Sequence, residues 1–210
     1  MTTPATHPSN PPTNRRLPLQ ARSNETVQAI LKAAAALLEK SPFEQITTSR
    51  IAAEAGVSIG ALYRFYSEKQ EIYDEIALHA LENFREELAP LLTAKKLIFG
   101  RKNPLDVVLD AYIDFLDRHP AFRILALGRH ISERTRESQL DIAPEAILKG
   151  LLIGRLKIKP GAKLQLKLRI AAETGDRLIA YAYAQQSRQG RDAVLTELKS
   201  MLGRYLLPRL

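Results

Sequence analysis

Two short apolar segments flank a glycine, each preceded by a hydroxyl side chain, and this constrains the fold more than any other feature. Thr47 stands ahead of Ile51, Ala52 and Ala55, Gly56 and Val57 follow, and Ser58 stands ahead of Ile59, Gly60, Ala61, Leu62, Tyr63, Arg64 and Phe65. A hydroxyl at an N-cap accepts a hydrogen bond from an otherwise unpaired helical N–H, and glycine reaches the left-handed conformation that ends a helix without a Cβ clash. The spacing predicts a helix, a sharp turn plugged by Val57 and a second short helix, which together make a helix-turn-helix. Such a unit sets the N-terminal residues of its second helix against base edges in the major groove, while caps and nearby side chains hold phosphates. Gly60 and Ala61 are small enough for close approach, and Ala61 suits a thymine methyl. Tyr63 supplies a phenol near a phosphate, and Arg64 suits a bidentate contact to guanine O6 and N7. Thr48, Ser49 and Arg50, in the first turn of the preceding helix, and Lys69, just downstream, are expected on the DNA backbone.

Helical periodicity runs through most of the remaining chain. Val27, Ile30, Leu31, Ala34, Leu37 and Leu38 line one face of a helix over about 24–40, with Ser23 as its expected cap, Ser41-Pro42 as its stop, and Phe43 and Ile46 as core plugs. Ser67-x-x-Gln70 has the form of a capping box, opening a long helix whose apolar residues Ile72, Ile76, Ala80, Phe84 and Leu88 lead to Pro90. Asn103-Pro104 is a cap followed by proline at the first helical position, with Leu105, Val108, Leu109, Tyr112, Ile113 and Leu116 inward. Further helices are expected after Pro120 and after Pro144, the latter with Ile147, Leu148, Leu151, Leu152 and Leu156 inward. Residues 163–170 alternate like a strand, but Leu164, Leu168, Ala171, Ala172, Gly175, Leu178, Ile179 and Ala182 fit one helical face, so helix is the preferred reading over about 163–188. A last helix covers about 191–207.

Composition excludes several classes. The chain has no Cys, which removes disulfides, thiolate zinc sites and cysteine nucleophiles, and its four His are scattered, so neither a metal site nor a cofactor is expected. His130 has no carboxylate or nucleophile at useful spacing, so no catalytic residue is assigned and no enzyme is expected. No apolar run is long enough to cross a bilayer and the N-terminus lacks a signal-peptide core, which predicts a cytoplasmic protein without membrane contact. Residues 1–18 hold five of the twelve prolines and few large apolar side chains; residues 1–21 are read as a disordered tail, with Arg15, Arg16 and Arg22 available to a phosphate backbone. Residues 1–66 carry seven Lys/Arg against four Asp/Glu, so DNA contact there must rest on a few well-placed groups.

The segment from about 22 to 72, above all ITTSRIAAEAGVSIGALYRFYSEK at 46–69, closely resembles the N-terminal domain of the TetR family of bacterial transcriptional regulators. The resemblance implies an all-α fold with an N-terminal three-helix helix-turn-helix DNA-binding domain over 22–66. Residues 67–210 would then form the linking helix and a helical ligand-binding and dimerisation domain. It further implies a homodimer on a palindromic double-stranded operator, acting as a repressor released by a small-molecule effector. Carried over by position, Thr48, Ser58, Gly60, Ala61, Tyr63, Arg64 and Lys69 are the DNA contacts, and the last two long helices pair with their twins. One departure stands out: many relatives have Tyr then Phe where this chain has Phe65 then Tyr66, which puts residue 65 in doubt as a phosphate contact.

For the effector, Tyr112, Phe115, Phe122, His130, Arg177 and Tyr181 are candidate pocket residues. Between Glu145 and Glu173 stand Lys149, Arg155, Lys157, Lys159, Lys163, Lys167 and Arg169 with no acid, either solvated surface or a tract that steers an anionic effector. The competing reading is a DNA-binding architectural protein without ligand control.

Overall fold

The computed structural model describes residues 19–93, 103–138, 153 and 160–207, and among these it contains helices and turns and no strand. The helices are α1 (Leu19–Lys40), α2 (Thr48–Glu54), α3 (Ile59–Tyr63), α4 (Lys69–Thr93), α5 (Pro104–Arg118), α6 (Pro120–Leu127), α7 (Glu133–Ser138), α8 (Ala162–Tyr183) and α9 (Arg188–Leu206), with a short 3-10 turn at Phe43–Gln45. Residues 1–18 of the expected tail, the helix expected after Pro144, and Lys149, Arg155, Lys157 and Lys159 lie outside the described residues, whereas residues 19–21, expected in the tail, form the first turn of α1.

Several local expectations need correction. α1 begins at Leu19, so Ser23 lies inside the helix and does not cap it. The α4 start is closed by Glu71, whose carboxylate accepts from the Ser67 amide and hydroxyl at 2.6 and 2.9 Å, while Gln70 turns elsewhere. Glu71 wins because a charged acceptor makes stronger hydrogen bonds than an amide oxygen. α4 also runs through Pro90 to Thr93. The 163–170 alternation resolves as helix: Leu164 and Leu168 face inward, while Leu166 and Ile170 are 60% and 44% exposed. Positions two apart on a helix differ by about 200°, so the alternating residues divide between two faces.

Two apolar cores organise the molecule. The first contains Ile30, Ala34, Leu37 and Leu38 of α1, Ile46, Ile51 and Ala52 around α2, and Leu62 of α3; Ile72 and Tyr73 from α4 and Ala121 and Leu125 from α6 complete it. The second joins Phe84 and Leu88 of α4, the α5 stripe, Phe122 of α6, and the facing sides of α8 and α9. Phe84, Tyr112, Phe115 and Phe122 meet there with ring centroids 5.2–5.8 Å apart, within the range of tilted and edge-to-face aromatic contacts. α6 thus contributes one face to each core.

The α6–α7 corner is fastened to α4 by polar contacts. Asp74 accepts from the Ser132 amide (2.9 Å), the Ser132 and Thr135 hydroxyls (2.5 and 2.8 Å) and Gln70 Nε2 (2.9 Å). Gln70 Nε2 also donates to the His130 carbonyl at 2.7 Å. Gly128 is required at this corner, because a Cβ there would stand 2.6 Å from the Ile124 carbonyl oxygen and 2.5 Å from the His130 ring.

Candidate nucleic-acid interface

The helix-turn-helix is built from its caps outward. Thr47 Oγ1 accepts from the Arg50 amide (3.2 Å), Gly56 takes φ +66°, and Ser58 Oγ accepts from the Ala61 amide (3.1 Å). Leu62 is fully buried and pins α3 to the head, which forces the other side of this short helix outward. That side presents Ile59, Gly60, Tyr63 and Arg64, with Ile59 40% and Tyr63 52% exposed. Gly60 has open space around its Cβ direction, and Ala61 is half-buried. Tyr63 Oη lies 3.1 Å from Thr48 Oγ1, so the two hydroxyls, from α3 and α2, stand side by side at the surface. Each can still donate or accept outward.

Two expected phosphate contacts are engaged inside the head. The Arg50 guanidinium donates to the Gln45 carbonyl (2.8 Å) and to Ser41 Oγ (3.1 Å), closing the α1–α2 connection. The Lys69 ammonium donates to the Ile46 carbonyl at 2.8 Å and lies over the rings of Phe43 and Tyr73 at 4.9 and 5.6 Å. Its charge is spent on holding α4 to the α1–α2 connection. Arg64 stays exposed, with its guanidinium 5.6 Å from the Phe65 ring. The Phe65–Tyr66 order has a structural consequence: Tyr66 is buried and its hydroxyl donates to Glu75 Oε2 at 2.8 Å. Burial and the Glu75 carboxylate push that phenol well above its ordinary pKa. The hydroxyl does not replace one at residue 65.

Sequence patterns gave no sign of the junction behind this surface. The His130 ring stacks on Phe43 with centroids 3.5 Å apart and an interplanar angle of 10°, and burial lowers its pKa. These partners lie far apart along the chain and carry no local motif.

The candidate effector residues are brought together only in part. Tyr112, Phe115 and Phe122 are packed into the second core, His130 sits against the head, and Arg177 and Tyr181 lie exposed on the outer side of α8, Tyr181 at 58%. They converge no further because three of them fill the core and two face away from it. An open polar groove of about 450 Å³ between α5 and α9 is lined by Asn103, Asp106, Thr196, Lys199, Ser200, Gly203 and Arg204, none of them a candidate residue. Of the basic tract, Lys167 is tied to Tyr205 through its carbonyl (3.1 Å) and ring (5.2 Å), while Lys163 and Arg169 are exposed. Among the described residues no group of three potential ligands could hold a metal ion, and no helix is long and apolar enough to cross a membrane.

Both halves of the chain match known families. Residues 30–76 match the bacterial regulatory proteins of the tetR family, and residues 101–210 match the tetracyclin repressor-like C-terminal domain. Curated relatives include nucleoid occlusion factors SlmA from Shewanella halifaxensis, 33% identical over 128 residues (59% of this chain, 64% of the relative), and from Idiomarina loihiensis, 34% identical over 134 residues (60% and 65%). The chain thus spans under two thirds of their length. A TetR-family transcriptional regulator from Streptomyces coelicolor superposes with a TM-score of 0.64 at 28% identity, covering 88% of this chain and 97% of that one. The regulator RolR, solved with resorcinol, shares the fold at a TM-score of 0.58 and 15% identity, covering 88% and 90%. With the C-terminal match alone extending over more than half of its length, the chain belongs to the TetR family of DNA-binding bacterial transcriptional regulators.

Proposed function

We propose that the protein is a cytoplasmic repressor that binds a palindromic operator as a homodimer and leaves it when a small molecule occupies the C-terminal domain. In this reading residues 22–66 form the DNA-binding unit. Thr48, Ser58, Gly60, Ala61, Tyr63 and Arg64 face the operator, and Lys69 acts by fixing the head. The observation that carries it is the α3 surface: a doubly capped turn, a buried Leu62 anchor, and an outward face of Ile59, Gly60, Tyr63 and Arg64. Dimerisation is supported by the outer faces of α8 and α9, where Leu166, Ile170, Tyr181 and Met201 are exposed large apolar side chains. Two recognition helices must sit about 34–36 Å apart to enter successive major grooves. Because α6 belongs to both cores and its C-terminal corner is bound to α4, a ligand that shifts α6 would tilt the heads and lose that spacing.

The relatives named nucleoid occlusion factors favour a second reading, a DNA-binding protein that acts on chromosome organisation without ligand control. Genome-wide occupancy together with footprinting separates the two. A short protected palindrome at one or a few promoters, released by a compound found in a thermal-shift screen, supports the repressor. Binding scattered along the chromosome or sequence-blind retardation, indifferent to such compounds, supports the second reading, and a protein that retards no duplex at low salt refutes both.

A further inference from the structure

Exposed large apolar side chains fall into two groups among the described residues. Leu166, Ile170, Tyr181 and Met201 lie on α8 and α9, and the remaining pair, Ile59 and Tyr63, lies on α3. Tyr63 has a hydroxyl partner in Thr48, whereas Ile59 has no polar atom to offer and leaves 40% of its surface open to solvent. It is the first residue of the helix that faces the operator, directly after the Ser58 cap. Its neighbour Gly60 leaves open space where a Cβ would stand, so the backbone at 59–60 can come close to base edges. Ile59 and Tyr63 make the apolar part of the outward α3 face, and the apolar group that major-groove base edges present is the C5-methyl of thymine.

We propose that Ile59 reads thymine: its aliphatic side chain packs against the C5-methyl of one thymine in each operator half-site and so fixes the base at that position. This rests on the operator-binding reading above and adds the chemical feature recognised. The polar side chains of the same face, Tyr63 and Arg64, take phosphate and guanine, so α3 divides apolar from hydrogen-bonded readout along its length. Burying one methyl group is worth about 0.8 kcal/mol, or roughly fourfold in affinity per half-site and about fifteenfold when both half-sites carry the contact.

The test starts by selecting bound sequences from a randomised duplex pool with the full-length protein. Each thymine of the recovered site is then replaced in turn by deoxyuridine, which keeps the pairing and removes only the methyl. Wild-type protein is expected to lose about fifteenfold on symmetric replacement at one position, and Ile59→Ala, which melts like wild type because the residue is half exposed, is expected to bind both duplexes equally. Recovered sites without an invariant thymine, a wild-type protein indifferent to deoxyuridine, or an Ile59→Ala protein that still distinguishes the two duplexes would each overturn the assignment to Ile59 while leaving operator binding intact. A pool that yields no enriched sequence would instead overturn the operator-binding reading.

Discussion

The Asp74→Asn substitution is the most direct probe of how the head is held to the body. In the native protein the carboxylate accepts four hydrogen bonds, from Gln70, from the Ser132 amide and from the Ser132 and Thr135 hydroxyls, three of them reaching across to the α7 corner. Asparagine keeps the shape but loses the charge, and it offers one acceptor oxygen and an NH2 group where two hydroxyls now donate. Hydrogen bonds to a charged group are worth about 1.5–3 kcal/mol each. With partial solvent access and hydroxyls free to rotate, the net cost is about 2 kcal/mol, and for a chain of this size that lowers Tm by about 4–8 °C. Burial by itself would raise the Asp74 pKa, but the hydrogen bonds from Ser132, Gln70 and Thr135 outweigh it and hold the carboxyl below its ordinary value. A depressed carboxylate pKa contributes stability that is fully present above the unfolded value of about 3.9 and is lost as pH falls through the folded pKa. The wild-type advantage over Asp74→Asn is therefore constant from about pH 5 upward and shrinks below about pH 4. Thermal melts across pH measure this, and hydrogen exchange should show faster amides at 130–135 in the variant. A Tm difference under 1 °C at neutral pH, or one that keeps growing above pH 5, would refute the clamp.

Other perturbations test separate parts of the molecule. Arg64→Ala should cost about 1–3 kcal/mol on the cognate operator and relax preference at one base position, read by comparing selected and scrambled duplexes. Lys69→Ala should lower thermal stability by about 1–2 kcal/mol through loss of the Ile46 carbonyl contact and the two ring contacts. It should leave the salt dependence of DNA binding unchanged, whereas a phosphate-bound lysine would change the slope by about one. Ile170→Glu, on the outer face of α8, should weaken self-association by about 100-fold or more in sedimentation without lowering the protomer's helix content.

The parts legible from the residues alone were those set by short-range chemistry. Thr47, Gly56 and Ser58 act as read, because a cap or a left-handed turn involves only the next few backbone groups. Asn103 likewise accepts from the Leu105 amide ahead of α5. Periodicity placed α1, α4, α5, α8 and α9 to within a turn or two, and rejected a strand at 163–170. Side chains with several possible partners were harder to read: Ser67 pairs with Glu71 over Gln70, Arg50 and Lys69 bond to backbone of their own head, and the candidate ligand residues are divided between core and surface.

By itself the order of amino acids determined that this chain makes helices, where a sharp turn joins α2 to α3, and which residues of α3 stay at the surface, since each follows from steric and hydrogen-bonding demands within one or two turns of backbone. Only the packed structure decided which charges remain free. Lys69 and Arg50 lie near carbonyls contributed by other segments, and Tyr66 meets Glu75 only because α4 folds back onto the head. Packing also decided that α6 serves both cores and that Asp74, Gln70 and Phe43 hold the corner at 128–135. Contacts between residues about sixty positions apart or more, such as Asp74 with Ser132, depend on where whole helices come to rest, and no local pattern encodes that.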